Sequence, residues 1–136
     1  MDEIDRNIIN LLKEDGRRSF IEISKAVNLS EASVRRRVQS LVNDKIIKRF
    51  TVEVNLGGAN GIALVSVNPS TPTPSISESL KKIKGVEIVY EITGQYDIAL
   101  IISAPNIAEI NRCIDEVRRI DGVANTNTVI ILKALR

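Results

Sequence analysis

The sequence predicts an α+β chain in two parts, helices first and a sheet after, and three observations carry that reading. Over residues 1–43 the apolar positions recur at helical spacing, broken only at Gly16 and at Asn28-Leu29-Ser30. Past Asp44-Lys45 the period switches to the alternation of a strand. Residues 62–132 then run through strand and helix patterns in the order β-α-β-β-α-β. The first part is expected to be a winged helix-turn-helix, and the second the split β-α-β arrangement of ferredoxin-like folds.

The first helix is capped by Asp2, carries Ile4, Ile8, Leu11 and Leu12 as its apolar stripe, and stops at Gly16. Ser19-Phe20-Ile21-Glu22 reads as a capping box, in which serine and glutamate each satisfy an orphan backbone N–H. It opens a second helix to about Val27 that buries Phe20 or Ile21, Ile23 and Ala26. After the tight turn at Asn28-Leu29, Ser30 caps a third helix running to about Asn43, with Val34, Val38, Leu41 and Val42 toward the core. Residues 46–54, Ile-Ile-Lys-Arg-Phe-Thr-Val-Glu-Val, alternate apolar and polar, so a strand is expected there as wing and exit. Three segments follow: 1–54 as the helix-turn-helix domain with its strand linker, 55–61 as a glycine-rich linker, and 62–136 as the sheet domain.

In the sheet domain, residues 62–67 form a strand and the proline-rich run 68–74 a stiff connector, with Pro74 suited to a helix's first turn. That helix buries Ile76, Leu80 and Ile83 and ends at Gly85. Strands over 86–93 and 96–103 meet in a hairpin at Gly94-Gln95. A helix over 107–120 turns Ile107, Ile110, Ile114 and Val117 to one side, and residues 125–132 are the last strand. Both helices cover one face of the four-stranded sheet. The runs Ile98-Ala99-Leu100-Ile101-Ile102 and Val129-Ile130-Ile131-Leu132 are nonetheless apolar on both sides, where a half-solvated sheet should alternate. A second copy of the chain is therefore expected on the open face.

Composition narrows the chemistry. The 136 residues include no histidine and one cysteine, so histidine-based triads, the usual zinc ligand sets and internal disulfides are excluded. Cys113, beside Ile110, Ile114 and Val117, reads as a small buried hydrophobe. No metal or cofactor is implied. No apolar run reaches the roughly 20 residues of a membrane span, and the acidic, periodic start is unlike a signal peptide, so a cytoplasmic chain is expected. Residues 1–50 hold eleven basic against eight acidic side chains, whereas 51–136 hold eight against nine. The positive surplus lies with the arginine helix.

That helix, Ser30-Glu31-Ala32-Ser33-Val34-Arg35-Arg36-Arg37-Val38-Gln39, is the candidate reader of a DNA major groove. Arg35, Arg36 and Gln39 are expected at base edges, Ser30 and Ser33 near phosphates at the helix N-terminus, and Arg37 as a structural or phosphate contact. Lys48 and Arg49 are expected to touch phosphates from the wing. Against this, a charge run is more often only a solvated helix face.

These pieces resemble one family along nearly the whole chain, the leucine-responsive/asparagine-regulator (Lrp/AsnC) transcription regulators of bacteria and archaea. The resemblance is carried by Met1-Asp2-Glu3-Ile4-Asp5-Arg6-Asn7-Ile8-Ile9, by Asp15-Gly16-Arg17-Arg18-Ser19, by Leu29-Ser30, Val34, Arg37-Val38 and Leu41, and by Ile46-Ile47-Lys48-Arg49-Phe50. Gly94-Gln95-Tyr96-Asp97 looks like the family's Gly-x-x-Asp signature. The resemblance implies dimers built through the ferredoxin-like domains, often assembled into tetramers, octamers or hexadecamers. It also implies small molecules, usually amino acids, bound between dimers near that hairpin. Two departures stand out: Lys45 lies where the family commonly has glycine, and Gln95 where some archaeal members associated with lysine biosynthesis carry an acid. The segment from Pro72 to Asp97 is similar to those members, and the twenty-one isoleucines fit an archaeal source.

The implied ligand site comprises Gly94, Gln95, Tyr96 and Asp97, with Thr126, Asn127 and Thr128 from an adjacent subunit and Glu91 as a weaker candidate for a cationic ligand. The plain alternative is a tight hairpin that needs Gly94 and is capped by Asp97. The expected function is a sequence-specific regulator binding a palindromic operator in double-stranded DNA and modulated by an amino-acid-like effector. The alternative is an architectural DNA-binding oligomer without an effector. An enzyme or RNA-binding sheet ranks below both, because no acid–base set converges and Tyr90 and Tyr96 are the sheet domain's only aromatics.

Overall fold

The computed structural model describes residues 1–136, which divide into two compact units, Met1–Asn55 and Leu56–Arg136. The first holds three helices, α1 (Glu3–Glu14), α2 (Phe20–Val27) and α3 (Glu31–Asn43). The Asp2 carboxylate accepts from Asp5 N–H at 2.9 Å while Asp5 accepts from Asp2 N–H at 3.0 Å, a reciprocal cap that starts α1. Ser19 starts α2 by accepting from Glu22 N–H at 3.1 Å; the return arm expected from Glu22 is not made. Asn28 ends α2 in the left-handed region at φ 56°, a conformation asparagine tolerates better than most residues. Ser30 then accepts from Ser33 N–H and α3 begins. Ile8, Ile23, Val34 and Val38 form the buried centre, with Ile4, Leu11, Leu12, Phe20 and Val27 packed around it. Ala26 and Val42, expected inside, are exposed.

Helix α3 ends in a tight reversal. Lys45 takes φ 58°, and the N–H groups of Ile46 and Ile47 both reach back to the Leu41 carbonyl, at 2.9 and 3.0 Å. The lysine standing where glycine is usual therefore carries a left-handed backbone. Residues 46–54 form no strand, which corrects the expected wing and strand linker. The alternation is present, but a strand needs a neighbour for its N–H and C=O groups, and the next run, β1, takes other partners. Phe50, Val52 and Val54 stay exposed.

The second unit is an antiparallel sheet in the order β2-β3-β1-β4, built from β1 (Ala59–Val67), β2 (Val86–Glu91), β3 (Ile98–Ala104) and β4 (Val123–Ile130). Helices α4 (Thr73–Lys81) and α5 (Ile107–Arg118) supply its crossovers. Ala63, Val65, Ile98, Leu100 and Ile102 turn from β1 and β3 toward Ile76 and Leu80 of α4 and Ile110, Cys113, Ile114 and Val117 of α5, all buried. Each large side chain so buried is worth about 1.5–3 kcal/mol. Ile107, expected on that stripe, is 54 % exposed: at the first turn of α5 it borders a hollow with Gly58 and Leu132 instead of the core. Gly122 takes φ 100° where a Cβ would come within 2.7 Å of Ile76 Cδ1, so only glycine fits that close approach.

The other sheet face is lined by the alternate residues. Ile88, Ile101, Ile62 and Val129 are register partners in one row across all four strands. Tyr90, Ala99, Leu64 and Asn127 form the next row. Neither α4 nor α5 covers this side, and Ile88, Tyr90 and Val129 are 38 %, 50 % and 50 % exposed.

Candidate functional site

Successive α-helical residues are turned by about 100°, so the buried Val34, Val38 and Leu41 of α3 fix what its other positions do. Arg36, Gln39, Ser40 and Asn43 fall opposite the core, and Arg35 and Arg37 fall on the two flanks. The contacts follow this division. Arg35 Nη2 donates to Glu31 Oε1 at 2.7 Å, and its guanidinium carbon lies 5.2 Å from the centre of the Phe20 ring on α2. Arg37 Nη1 donates to Asp2 Oδ2 at 2.8 Å and to Asp5 Oδ1 at 2.9 Å, at the start of α1. Arg36, by contrast, has only a long contact to Ser33 Oγ at 3.5 Å, and Gln39 Nε2 donates to Asn43 Oδ1 at 2.9 Å.

Electrostatics reinforce the flank at α1. The Asp5 N–H and then Arg37 hold the Asp2 carboxyl below its ordinary range, and the hydrogen bonds that Arg37 donates to Asp2 and Asp5 raise its own pKa in turn. A polar hollow of about 470 Å³ opens beside these groups, lined by Asp5, Ser33, Arg36, Arg37, Ser40 and Asp44. Ser30, Ser33, Arg35, Arg36, Arg37 and Gln39 thus share one capped helix, but Arg37 turns to two carboxylates and leaves the outward group. Lys48 and Arg49 are exposed on the irregular segment after α3, not on a strand. Asn43 joins the outward face, and its position 43 − 39 = 4 residues from Gln39 was the signal for it.

In the second unit, Asp97 works inside the fold. Its Oδ2 accepts from Val67 N–H at 2.7 Å, its own N–H donates to the Val65 carbonyl, and its carbonyl accepts from Ile92 N–H. It ties the β2–β3 connection to the end of β1. Gly94 has φ 112° with nothing within 4 Å of where a Cβ would lie, so the turn and not crowding calls for glycine. Gln95 is exposed and Tyr96 half-buried on the same connection. Thr126 Oγ1 accepts from Arg118 Nε at 3.1 Å, and Thr128 Oγ1 is buried without a partner. These two threonines are on the helix side of β4, and Asn127 is on the open face, so the three do not converge within one chain. Thr126 pairs with Val65, the residue that also holds Asp97, about 10 Å and two strand spacings away. Glu91 accepts from Ser77 Oγ at 2.8 Å.

No group of three or more His, Cys, Asp or Glu side chains gathers as metal ligands, and no helix is long and apolar enough to cross a membrane. Comparison with known proteins supplies the frame for these sites. An AsnC-type helix-turn-helix domain matches residues 1–42, and an Lrp/AsnC ligand binding domain matches residues 61–136. The HTH-type transcriptional regulator LysM of Saccharolobus solfataricus is 46 % identical over 134 residues, covering 98 % of this chain and 94 % of that protein. Among solved structures, LrpC of Bacillus subtilis superposes with a TM-score of 0.84 at 28 % identity, over 100 % of this chain and 97 % of that one. A Neisseria meningitidis transcriptional regulator in complex with L-methionine superposes with a TM-score of 0.88 at 22 % identity, over 100 % and 92 %. The chain is a member of the Lrp/AsnC family of transcription regulators, with an AsnC-type helix-turn-helix followed by that family's ligand-binding domain.

Proposed function

We propose that this regulator reads a specific palindromic DNA sequence as a homodimer, through α3, and that an amino-acid-type molecule modulates it. The observation that carries the DNA reading is the division of α3: both flanks are tethered and Arg36 and Gln39 are left outward on a serine-capped helix. Arginine and glutamine are side chains able to make two hydrogen bonds to one base edge. Selection of duplexes from a random pool, followed by footprinting, tests the reading. A short two-fold-symmetric core supports it, whereas extended protection without a consensus favours an architectural oligomer. Affinity should also fall with salt, by about 0.9 in log–log slope per phosphate neutralised.

The dimer reading rests on the apolar row Ile88–Ile101–Ile62–Val129, which a second sheet would bury face to face. The effector reading rests on the ligand-binding domain match over residues 61–136. Its candidate site is the connection Gly94–Asp97, where Asp97 shapes the turn and Gln95 and Tyr96 remain available, completed by Asn127 of a neighbouring subunit, the one member of 126–128 on the open sheet face. A thermal-shift scan against the twenty amino acids tests it. A ligand at one hundred times its Kd stabilises by about 2.7 kcal/mol, enough to read, and silence throughout favours a regulator without such an effector. The protein acts here by binding and not by catalysis.

A further inference from the structure

We propose that Arg37 is a positioning residue for DNA reading: held by Asp2 and Asp5, it fixes the rotation of α3 about its own axis and so sets where Arg36 and Gln39 point. This rests on the DNA-reading role proposed above. The chemistry at Arg37 sets it apart from a phosphate contact. Each aspartate gives one carboxylate oxygen to the reciprocal cap of α1 and its other oxygen to Arg37 Nη1. The guanidinium therefore completes a closed set of hydrogen bonds that spans 35 residues of sequence. Two carboxylates and one guanidinium carry a net charge of −1, which repels a phosphate. Arg36, one residue away, has no acidic partner and is the contrast.

Rotation is the motion that matters. The core contacts of Val34, Val38 and Leu41 set which side of α3 faces inward, but being apolar and non-directional they resist a small turn about the helix axis less sharply than a hydrogen bond does. A side-chain tip about 5–6 Å from the axis moves about 2 Å for a turn of about 20°. That displacement exceeds what a bidentate base contact tolerates. A charged, directional bond on one flank, opposite the Arg35–Phe20 contact on the other, removes this freedom.

The test uses the full-length protein, one duplex selected from a random pool by the wild type, and a scrambled duplex of equal length. The main variant is Asp2→Asn with Asp5→Asn, because asparagine still caps a helix while the ionic bonds to Arg37 are lost. It also removes two negative charges, so electrostatics alone would strengthen binding to both duplexes. The proposal predicts the opposite for the selected duplex: the selected-to-scrambled affinity ratio falls at least about tenfold. Arg37→Met, which keeps most of the stem, should lower the ratio similarly and leave the salt slope unchanged. An unchanged ratio in the double variant overturns the proposal. So does a loss shared equally by both duplexes in Arg37→Met with the slope reduced by about 0.9, the signature of a phosphate contact. A wild type that enriches no sequence overturns the DNA reading itself, a result distinct from either.

Discussion

The two units are held together by different means. In the first, four buried residues form the centre of three helices, and charged contacts between α1, α2 and α3 finish the work. In the second, eleven buried residues join two helices to a sheet, and the ion pairs Arg112–Glu109, Arg112–Glu116 and Arg118–Asp115 all lie within α5. Burial specifies the second unit, and charge helps to aim the first. A unit that presents a helix to a polyanion needs orientation as much as stability, and directional bonds supply that where a small core does not.

The largest test of this contrast is cavity creation in each unit. Leu100→Ala empties the middle of the sheet's core and Ile8→Ala the middle of the helical core, both at 0 % exposure, and each should cost about 2–5 kcal/mol in its own unit. Urea unfolding followed by probes in each unit should show the loss on one side only; a loss shared by both would mean that the units do not behave separately. Next comes Ile101→Glu, at the centre of the apolar row on the open sheet face. It should leave the core intact and turn the proposed dimer into a monomer by light scattering, and an unchanged mass would remove this face as the interface. Arg36→Ala should weaken a selected duplex by about 1–3 kcal/mol and a scrambled one far less, with both melting transitions unmoved. Equal losses on both duplexes would make it a phosphate contact.

Smaller effects follow from backbone and proton. Lys45→Gly relieves a left-handed residue after α3, a conformation that costs about 1–2 kcal/mol for a residue with a Cβ, offset in part by the greater freedom of unfolded glycine. A net gain of about 0.5–1 kcal/mol in the first unit is expected, and no gain in chemical denaturation would mean that other contacts have absorbed the strain. The Asp2 carboxyl is held low in the folded chain, so the unfolded chain binds its proton first as pH falls. Its contribution is complete above the ordinary aspartate range, near pH 4, and is lost as the pH drops through the lower folded value. Stability measured from pH 5 to pH 2 should show this decline in the first unit, and Asp2→Asn should flatten it.

Much of the architecture was legible because it is written in short-range patterns. The caps at Asp2, Ser19 and Ser30, the stripe of α3 and the succession of strands and helices along the second unit all depend on residues within a few positions of one another. What failed depends on distance. Residues 46–54 have a strand's alternation, and whether a strand forms is decided by a partner that this chain does not provide. Ile107 keeps the period of α5 but lies at its first turn, beside a hollow and not the core. The reading of Arg37 as a structural or phosphate contact left its role open, because its two acidic partners lie 32 and 35 residues away, beyond the reach of any local pattern. Glu31–Arg35, four apart, was open to the ordinary helix rule. For the ligand site, the turn at Gly94 and Asp97 was visible, but the separation of Thr126 and Thr128 from Asn127 across two sheet faces becomes plain only from register.

The pairing of β1 with β4 has a consequence in time. β1 lies between β3 and β4, and its partner on one side, from Val123 to Ile130, is the last strand in the chain. Contacts that distant in sequence form slowly, because a long loop must close before any of them is rewarded. During synthesis from the N-terminus, the three helices are complete while β1 still has an open edge of N–H and C=O groups. Until β4 arrives, that edge is free to bond to any other extended chain, so the interval before the last strand emerges is when a nascent copy is most exposed to aggregation.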